Sequence, residues 1–347
     1  MNQTNKEMRK VKTSFISAML LTFVCLGASA QTPDNGQSSF KPNGKPLVTI
    51  FSDFRYNVQD GKSNPAFELS RAYFGYIYNF SPNFSSKVLF DVSNTKGLAP
   101  SSFTAYVKNA YVEYATPVVK VDFGMIGTTA FNLQESVWGR RYLLKSFQDL
   151  NGFSSSADLG AAVKVQIAPQ LSFDAQVLNG EGYQNVQADS TLKVAAGVTY
   201  EPIKNLYFRV YGDYLKKNSS LNTAAQKTVN AFVAYKGTDF TIGGEYNLQH
   251  GNKMVADHKL SGVSLWGSYN ASNTVSVFAR YDHLTSNTVG SATSNWNAAK
   301  DGNLYVAGVE FFPTKGVSIS PNIQYNDPKS SSIKSTASYL VNVGLNF

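Results

Sequence analysis

The sequence predicts an all-β fold: a closed, sixteen-stranded antiparallel barrel spanning a membrane, with a long third external loop folding inward. Three observations predict it. Sixteen segments alternate apolar and polar residues with period 2, every second connection between them is a tight turn, and a basic then apolar stretch opens the chain.

The opening stretch sets the compartment. Lys6, Arg9, Lys10 and Lys12 precede an apolar run from Phe15 to Leu26, and Ala28-Ser29-Ala30 offers small residues for cleavage. This is the pattern of a secretory signal peptide over residues 1–30; a retained membrane helix needs about 20 apolar residues. Cys25, the single cysteine, falls inside it, and Val24 does not suit a lipidation site. The exported chain is therefore expected to begin near Gln31 and to hold together without a disulfide. Taking away four basic residues and Glu7 leaves 27 of 31 Lys+Arg and 22 of 23 Asp+Glu, a net charge of +5 scattered along the chain. No basic patch for nucleic acid results. Beyond residue 30 no apolar run is long enough to cross a bilayer as a helix, so strands must do it.

A Pro-, Gly- and Asn-rich lead at 31–46 reads as a periplasmic N-terminal extension, and the barrel is expected over 47–347. Strands are expected at about 47–56, 67–80, 83–93, 104–115, 118–127, 156–168, 170–179, 191–201, 205–216, 227–236, 239–249, 259–270, 273–285, 302–312, 316–326 and 336–347. The tight connections are SPN, TPV, APQ, EPIKN, KGTD, NASN and PTKG, five of the seven with proline. Those between them are longer and richer in Asn, Ser, Gly and Lys, such as NVQDGKSNPA and LKKNSSLNTAAQ. Short periplasmic turns and long external loops are the layout of an outer-membrane barrel.

Strand faces agree. In the third strand Phe84, Ser86, Val88, Phe90 and Val92 oppose Ser85, Lys87, Leu89, Asp91 and Ser93; in the fifth, Val119, Val121, Phe123 and Met125 oppose Lys120, Asp122, Gly124 and Ile126. A soluble antiparallel sheet alternates too, so the argument rests on all sixteen with their loops. Lipid offers no partner to an open sheet edge, so the last strand, ASYLVNVGLNF, is expected to pair with the first, LVTIFSDFRY. Its terminal Phe347 resembles the assembly signal by which barrel-insertion machinery recognises its substrates.

Sixteen strands enclose more space than their own side chains fill. One connection is far too long for a hairpin: residues 128–156, TTAFNLQESVWGRRYLLKSFQDLNGFSSS. Its anchors Phe131, Leu133, Val137, Trp138, Tyr142, Leu143, Leu144 and Phe147 suit a short helix between Leu133 and Phe147 and imply packing, either inside the lumen, as expected here, or over the outer surface. On a helical turn Arg141 and Lys145 share a face. With Arg140 they either place a positive cluster for carboxylate or phosphate oxygens at a constriction, or pair with acidic wall residues and hold the segment. Glu135 and Asp149 leave the segment at +1.

Register turns Arg55, Arg71, Lys87, Lys120, Lys164, Lys193, Arg209, Lys236 and Arg280 into the lumen, against Asp53, Asp91, Glu113, Asp122, Asp158, Asp174, Asp213, Glu245, Asp282 and Glu310. Such a balanced wall is expected to pair most of its charges.

KNAYVEY (108–114), WGRRYLLKSFQDLNGFSSSADLG (138–160) and VLNGEGY (177–183) resemble the phosphate-selective porin O and P family, in particular its Bacteroidetes-type relatives. The resemblance spans most of 47–347. It implies a homotrimeric outer-membrane porin with an inward third loop and, in the best-known members, arginines leading anions to a lysine-bearing site. The expected partners are outer-membrane lipid, small hydrophilic or anionic solutes and the insertion machinery. The expected function is passive diffusion of such solutes, with some anion or phosphate preference. The alternative is a barrel with a plugged lumen whose loops bind a ligand or surface. No cofactor, metal site or enzymatic activity is expected: His250, His258 and His283 join no catalytic or metal grouping, and Gly180 to Gly182 sit in a loop without a following helix.

Overall fold

A computed structural model of the chain describes residues 40–94, 102–188 and 190–347. The expected signal peptide and most of the lead lie outside the described residues. The strands are β1 (Asn43–Gln59), β2 (Lys62–Asn79), β3 (Phe84–Asn94), β4 (Phe103–Ala115), β5 (Val119–Gly127), β6 (Ala157–Ala168), β7 (Leu171–Leu178) and β8 (Lys193–Tyr200). They continue with β9 (Leu206–Leu215), β10 (Gln226–Lys236), β11 (Phe240–His250), β12 (Lys259–Ser272), β13 (Val275–Ser286), β14 (Gly302–Thr314), β15 (Val317–Pro328) and β16 (Thr336–Asn346). Each pairs antiparallel with its sequence neighbour, and β1 pairs with β16, closing the sheet.

The seam runs in unbroken register from Thr49 opposite Asn346 to Gln59 opposite Thr336. It ends in two reciprocal bonds, Val48 N–H to the Phe347 carbonyl at 2.9 Å and Phe347 N–H to the Val48 carbonyl at 3.0 Å. A barrel in lipid needs this closure, because an unpaired backbone group there has no other partner.

The first hairpin departs from expectation. The stretch 57–66, expected as a long external connection, is mostly strand: β1 and β2 continue to Gln59 and Lys62 around Asp60-Gly61. Both turn residues have positive φ, 50° and 73°, the requirement of a two-residue type I′ turn that Asp-Gly meets readily. The strand also starts at Asn43, inside the expected lead.

Two bulges shift side-chain parity. In β2 the register steps from Arg71 opposite Phe51 to Leu69 opposite Ser52, which leaves Ser70 as the extra residue. In β4 it steps from Asn109 opposite Leu89 to Val107 opposite Phe90, which leaves Lys108 extra. A bulge re-aims a side chain, and here consecutive residues on each strand turn to the same side.

Outside, the faces are apolar: Val112, Phe123, Val210, Ile242 and Leu265 are more than half exposed. Near the tight turns aromatic pairs straddle neighbouring strands, Phe84 with Tyr114 at 4.9 Å and Tyr235 with Phe240 at 5.3 Å between ring centroids. This matches the aromatic girdle of a membrane barrel. Inside, Asp91, Asn230, Asn247 and Ser264 are fully buried. Leu265→Arg, on the outer face, should therefore destabilise the barrel by about 2–4 kcal/mol in phospholipid vesicles, measured by equilibrium urea unfolding.

Candidate functional site

The third external connection, residues 128–156, folds into the barrel. Helix α1 (Asn132–Trp138) stops at Gly139 and helix α2 (Phe147–Asn151) stops at Gly152; both glycines are left-handed, with φ 69° and 70°. The single helical stretch expected between Leu133 and Phe147 is thus broken, because Gly139 terminates the first helix before Arg140. Arg141 and Lys145 lie between the helices, Arg141 in a turn and Lys145 in irregular chain just before α2.

The segment's anchors meet an apolar patch on the inner wall. Strands β10, β12, β13 and β14 turn Phe232, Trp266, Phe278 and Val306 inward, and these pack with Val137, Trp138, Tyr142 and Leu143 of the segment. The Trp138 ring lies edge-on to Trp266 at 6.2 Å and to Phe278 at 6.1 Å. Burying side chains such as Val137 and Phe147 contributes about 1.5–3 kcal/mol each. Farther across, Tyr142 lies over Gly344 of β16, where a Cβ would stand 2.8 Å from the ring carbon Cγ. Glycine is needed there for the segment to approach the wall.

Polar contacts complete the attachment. Gln134 donates to Asn230 at 2.8 Å, and Asn230 donates to Asn247 at 2.8 Å. Wall cations donate to carbonyl oxygens of the segment: Arg209 to Thr129 at 2.9 Å, Lys236 to Ser136 at 2.9 Å and Arg280 to Lys145 at 2.8 Å. These carbonyls lie outside the helical ladders, and a buried carbonyl must find a donor. The sequence reading did not single out this docking surface. Its signal was large apolar residues at lumen-facing positions of four strands close together in sequence.

The three candidate cations point different ways. Arg140 is buried; its Nη2 pairs with Glu310 at 2.9 Å and donates to the Ser276 hydroxyl at 3.0 Å, with the guanidinium 5.0 Å from the Phe278 ring centre. The Tyr142 hydroxyl donates to the same Glu310 at 2.9 Å. Arg141 pairs with Glu135 at 3.2 Å and with Asp149 at 3.1 Å, and Lys145 shares Asp149 at 3.1 Å. Burial raises the Asp149 carboxyl, but Arg141 and Lys145 outweigh it and hold the group below its ordinary range. Burial lowers the Lys145 ammonium, only partly offset by Asp149.

The wall charges are paired for the most part. Arg55 meets Asp53 at 2.7 Å and Glu68 at 2.8 Å; Arg71 meets Asp91 at 2.6 Å. Glu113 meets Lys120 at 2.5 Å, Arg209 meets Asp174 at 2.6 Å, and Arg280 meets Asp282 at 2.7 Å. Lys87 and Lys164 make no ion pair among the described residues. Both line a cavity of about 550 Å³ at the tight-turn end of the barrel, with Lys120, Arg209, Asp122 and Asp174 around it and Thr129 and Leu133 of the segment above it.

Known structures share this architecture. The outer membrane channel DcaP of Acinetobacter baumannii superposes with a TM-score of 0.63 at 11% identity, over 90% of this chain and 99% of that one. The chain has the porin fold. OmpF of Salmonella typhi matches with a TM-score of 0.66 at 12% identity, over 88% of this chain and 97% of that one. An anion-selective porin from Comamonas acidovorans matches with 0.65 at 11%, over 88% and 100%. No family model and no curated protein matches the sequence.

Within this porin fold Arg140 holds the segment to β13 and β14. Arg140→Met should leave Glu310 buried without its cation, at a local cost of up to about 3–5 kcal/mol. Faster amide hydrogen exchange over residues 132–151, with the strands still protected, is the expected outcome.

Proposed function

We propose that the chain is an outer-membrane porin through which small hydrophilic solutes and ions diffuse passively, with residues 128–156 narrowing the lumen. The observation that carries this reading is the inward segment itself. It docks on one side of the interior, against β10 to β14. A cavity lined by charged and polar side chains remains on the other, among β3 to β9. A wall of paired charges with a narrowed water-filled path selects by size first and by charge second.

An anion preference fits, in moderate form. Arg141 and Lys145 are opposed at once by Glu135 and Asp149, so these four side chains sum to zero, and Arg140 is spent on Glu310. Lys87 and Lys164, which make no ion pair among the described residues, add positive potential below the segment. Phosphate selectivity and a homotrimer are supported by the family resemblance, and a cleaved signal over 1–30 by its residue pattern. Phe347 fits an assembly role through its place at the closing seam.

Reconstituted in a planar bilayer, the purified protein should give stepwise currents. Repeated absence of steps from folded protein would favour a plugged, ligand-binding barrel. The reversal potential in a KCl gradient should show a mild anion preference, and Arg141→Ala plus Lys145→Ala should shift it towards cations, because Glu135 and Asp149 are then left without their partners. Deleting Phe347 should lower the yield of inserted barrels while leaving the conductance of those that form unchanged.

A further inference from the structure

The bulge in β4 brings Lys108 to the lumen side, next to Asn109. Counted from Ala110 and Val112, which face lipid, an unbulged strand would turn Lys108 to the lipid side as well, where a lysine is costly. Its ammonium lies 4.5 Å from the centre of the Tyr73 ring and 5.6 Å from that of Tyr183. Among the described residues it donates one hydrogen bond, to the Tyr73 hydroxyl at 3.2 Å. An ammonium carries three donors, so two remain.

No carboxylate among the described residues forms an ion pair with Lys108. Glu135 and Asp149 of the inward segment feel its charge from across the gap, yet both are engaged by Arg141 and Lys145. Arg71, next to the bulge of β2 on the far side of β3, is bound to Asp91 and Ser93, and the Tyr183 hydroxyl donates to the same Asp91 at 2.6 Å. Tyr106 meets Tyr183 edge-on at 6.4 Å. The result is a lumen-side cation without an ion pair among the described residues, flanked by the Tyr73 and Tyr183 rings.

We propose that Lys108, set into the lumen by the β4 bulge between Tyr73 and Tyr183, is the solute-contacting residue of the narrowed path, taking small organic carboxylates whose flat apolar part lies against the tyrosine rings. The carboxylate accepts from the two unused ammonium donors, and the rings favour a planar apolar body over a fully hydrated ion. This rests on the porin reading and names the solute class for the same lumen.

The test uses the full-length protein in planar bilayers, with chloride and benzoate as probes. In a KCl gradient Lys108→Met should lower the chloride-to-potassium permeability ratio about two- to fivefold, the effect of one unit charge acting over a few ångströms in water. It should also weaken block of the KCl current by benzoate, and Lys108→Arg should restore both. If Lys108→Met gives no channels, Lys108→Gln takes its place. Channels whose ratio and benzoate block are unchanged in these uncharged variants would overturn the inference and leave the porin reading intact. Wild-type protein that never conducts would overturn both. A shift in the ratio without any change in benzoate block would retain the cation and refute the carboxylate site.

Discussion

Backbone satisfaction is the constraint on which the structure depends. In hydrocarbon an unpaired N–H or C=O has no water to turn to, so a sheet that crosses the membrane has to close. Closure here is the pairing of β1 with β16, carried to the last residue by the reciprocal bonds between Val48 and Phe347. Once the sheet is closed, each strand has one face for lipid and one for the interior, and period-2 alternation follows. The apolar outer face, the polar inner face and the aromatic pairs near the tight turns are consequences of the same requirement.

Closure creates a second problem, an interior too wide to fill with wall side chains. The segment 128–156 answers it by occupying one side. It is held by an apolar patch that includes Phe232, Trp266 and Phe278, by the polar chain Gln134–Asn230–Asn247, and by cations donating to its carbonyls. The packing is directional. Strands β10 to β14 present large apolar side chains inward, so the segment settles there and leaves a charged cavity among β3 to β9. The open space is thereby displaced to one side of the barrel.

Strand existence and order were legible in the sequence because alternation, tight turns and closure all follow from local residue types. What escaped were features in which two signals compete. Asp60-Gly61 is a strong hairpin turn, yet the polar Asn, Gln and Ser residues around it read as a loop; pairing with β16 and β2 extends the strands regardless of that polarity. The β4 bulge is visible in retrospect: Phe103, Ala105 and Val107 share one parity, while Ala110, Val112 and Tyr114 share the other. The helical expectation for Arg141 and Lys145 overlooked Gly139, which ends the first helix in a left-handed turn. The partner of Arg140 was beyond local reading. Glu310 lies far along the chain, and only closure brings it opposite the segment.

Charge counting along a barrel wall therefore says little about what a passing solute meets. Arg209 and Arg280 look, in sequence, like rungs lining a path. In the folded chain each is held by a carboxylate and spends a further donor on a carbonyl of the inward segment, so each acts as a clamp. Arg140 has become part of the attachment in the same way. A solute responds to donors and charges that remain after the protein has satisfied itself, because a cation already neutralised at 2.6–2.9 Å has little field left to offer in water. By that criterion the informative lumen residues are the few whose partners are missing, and these are found from the contacts of the folded chain.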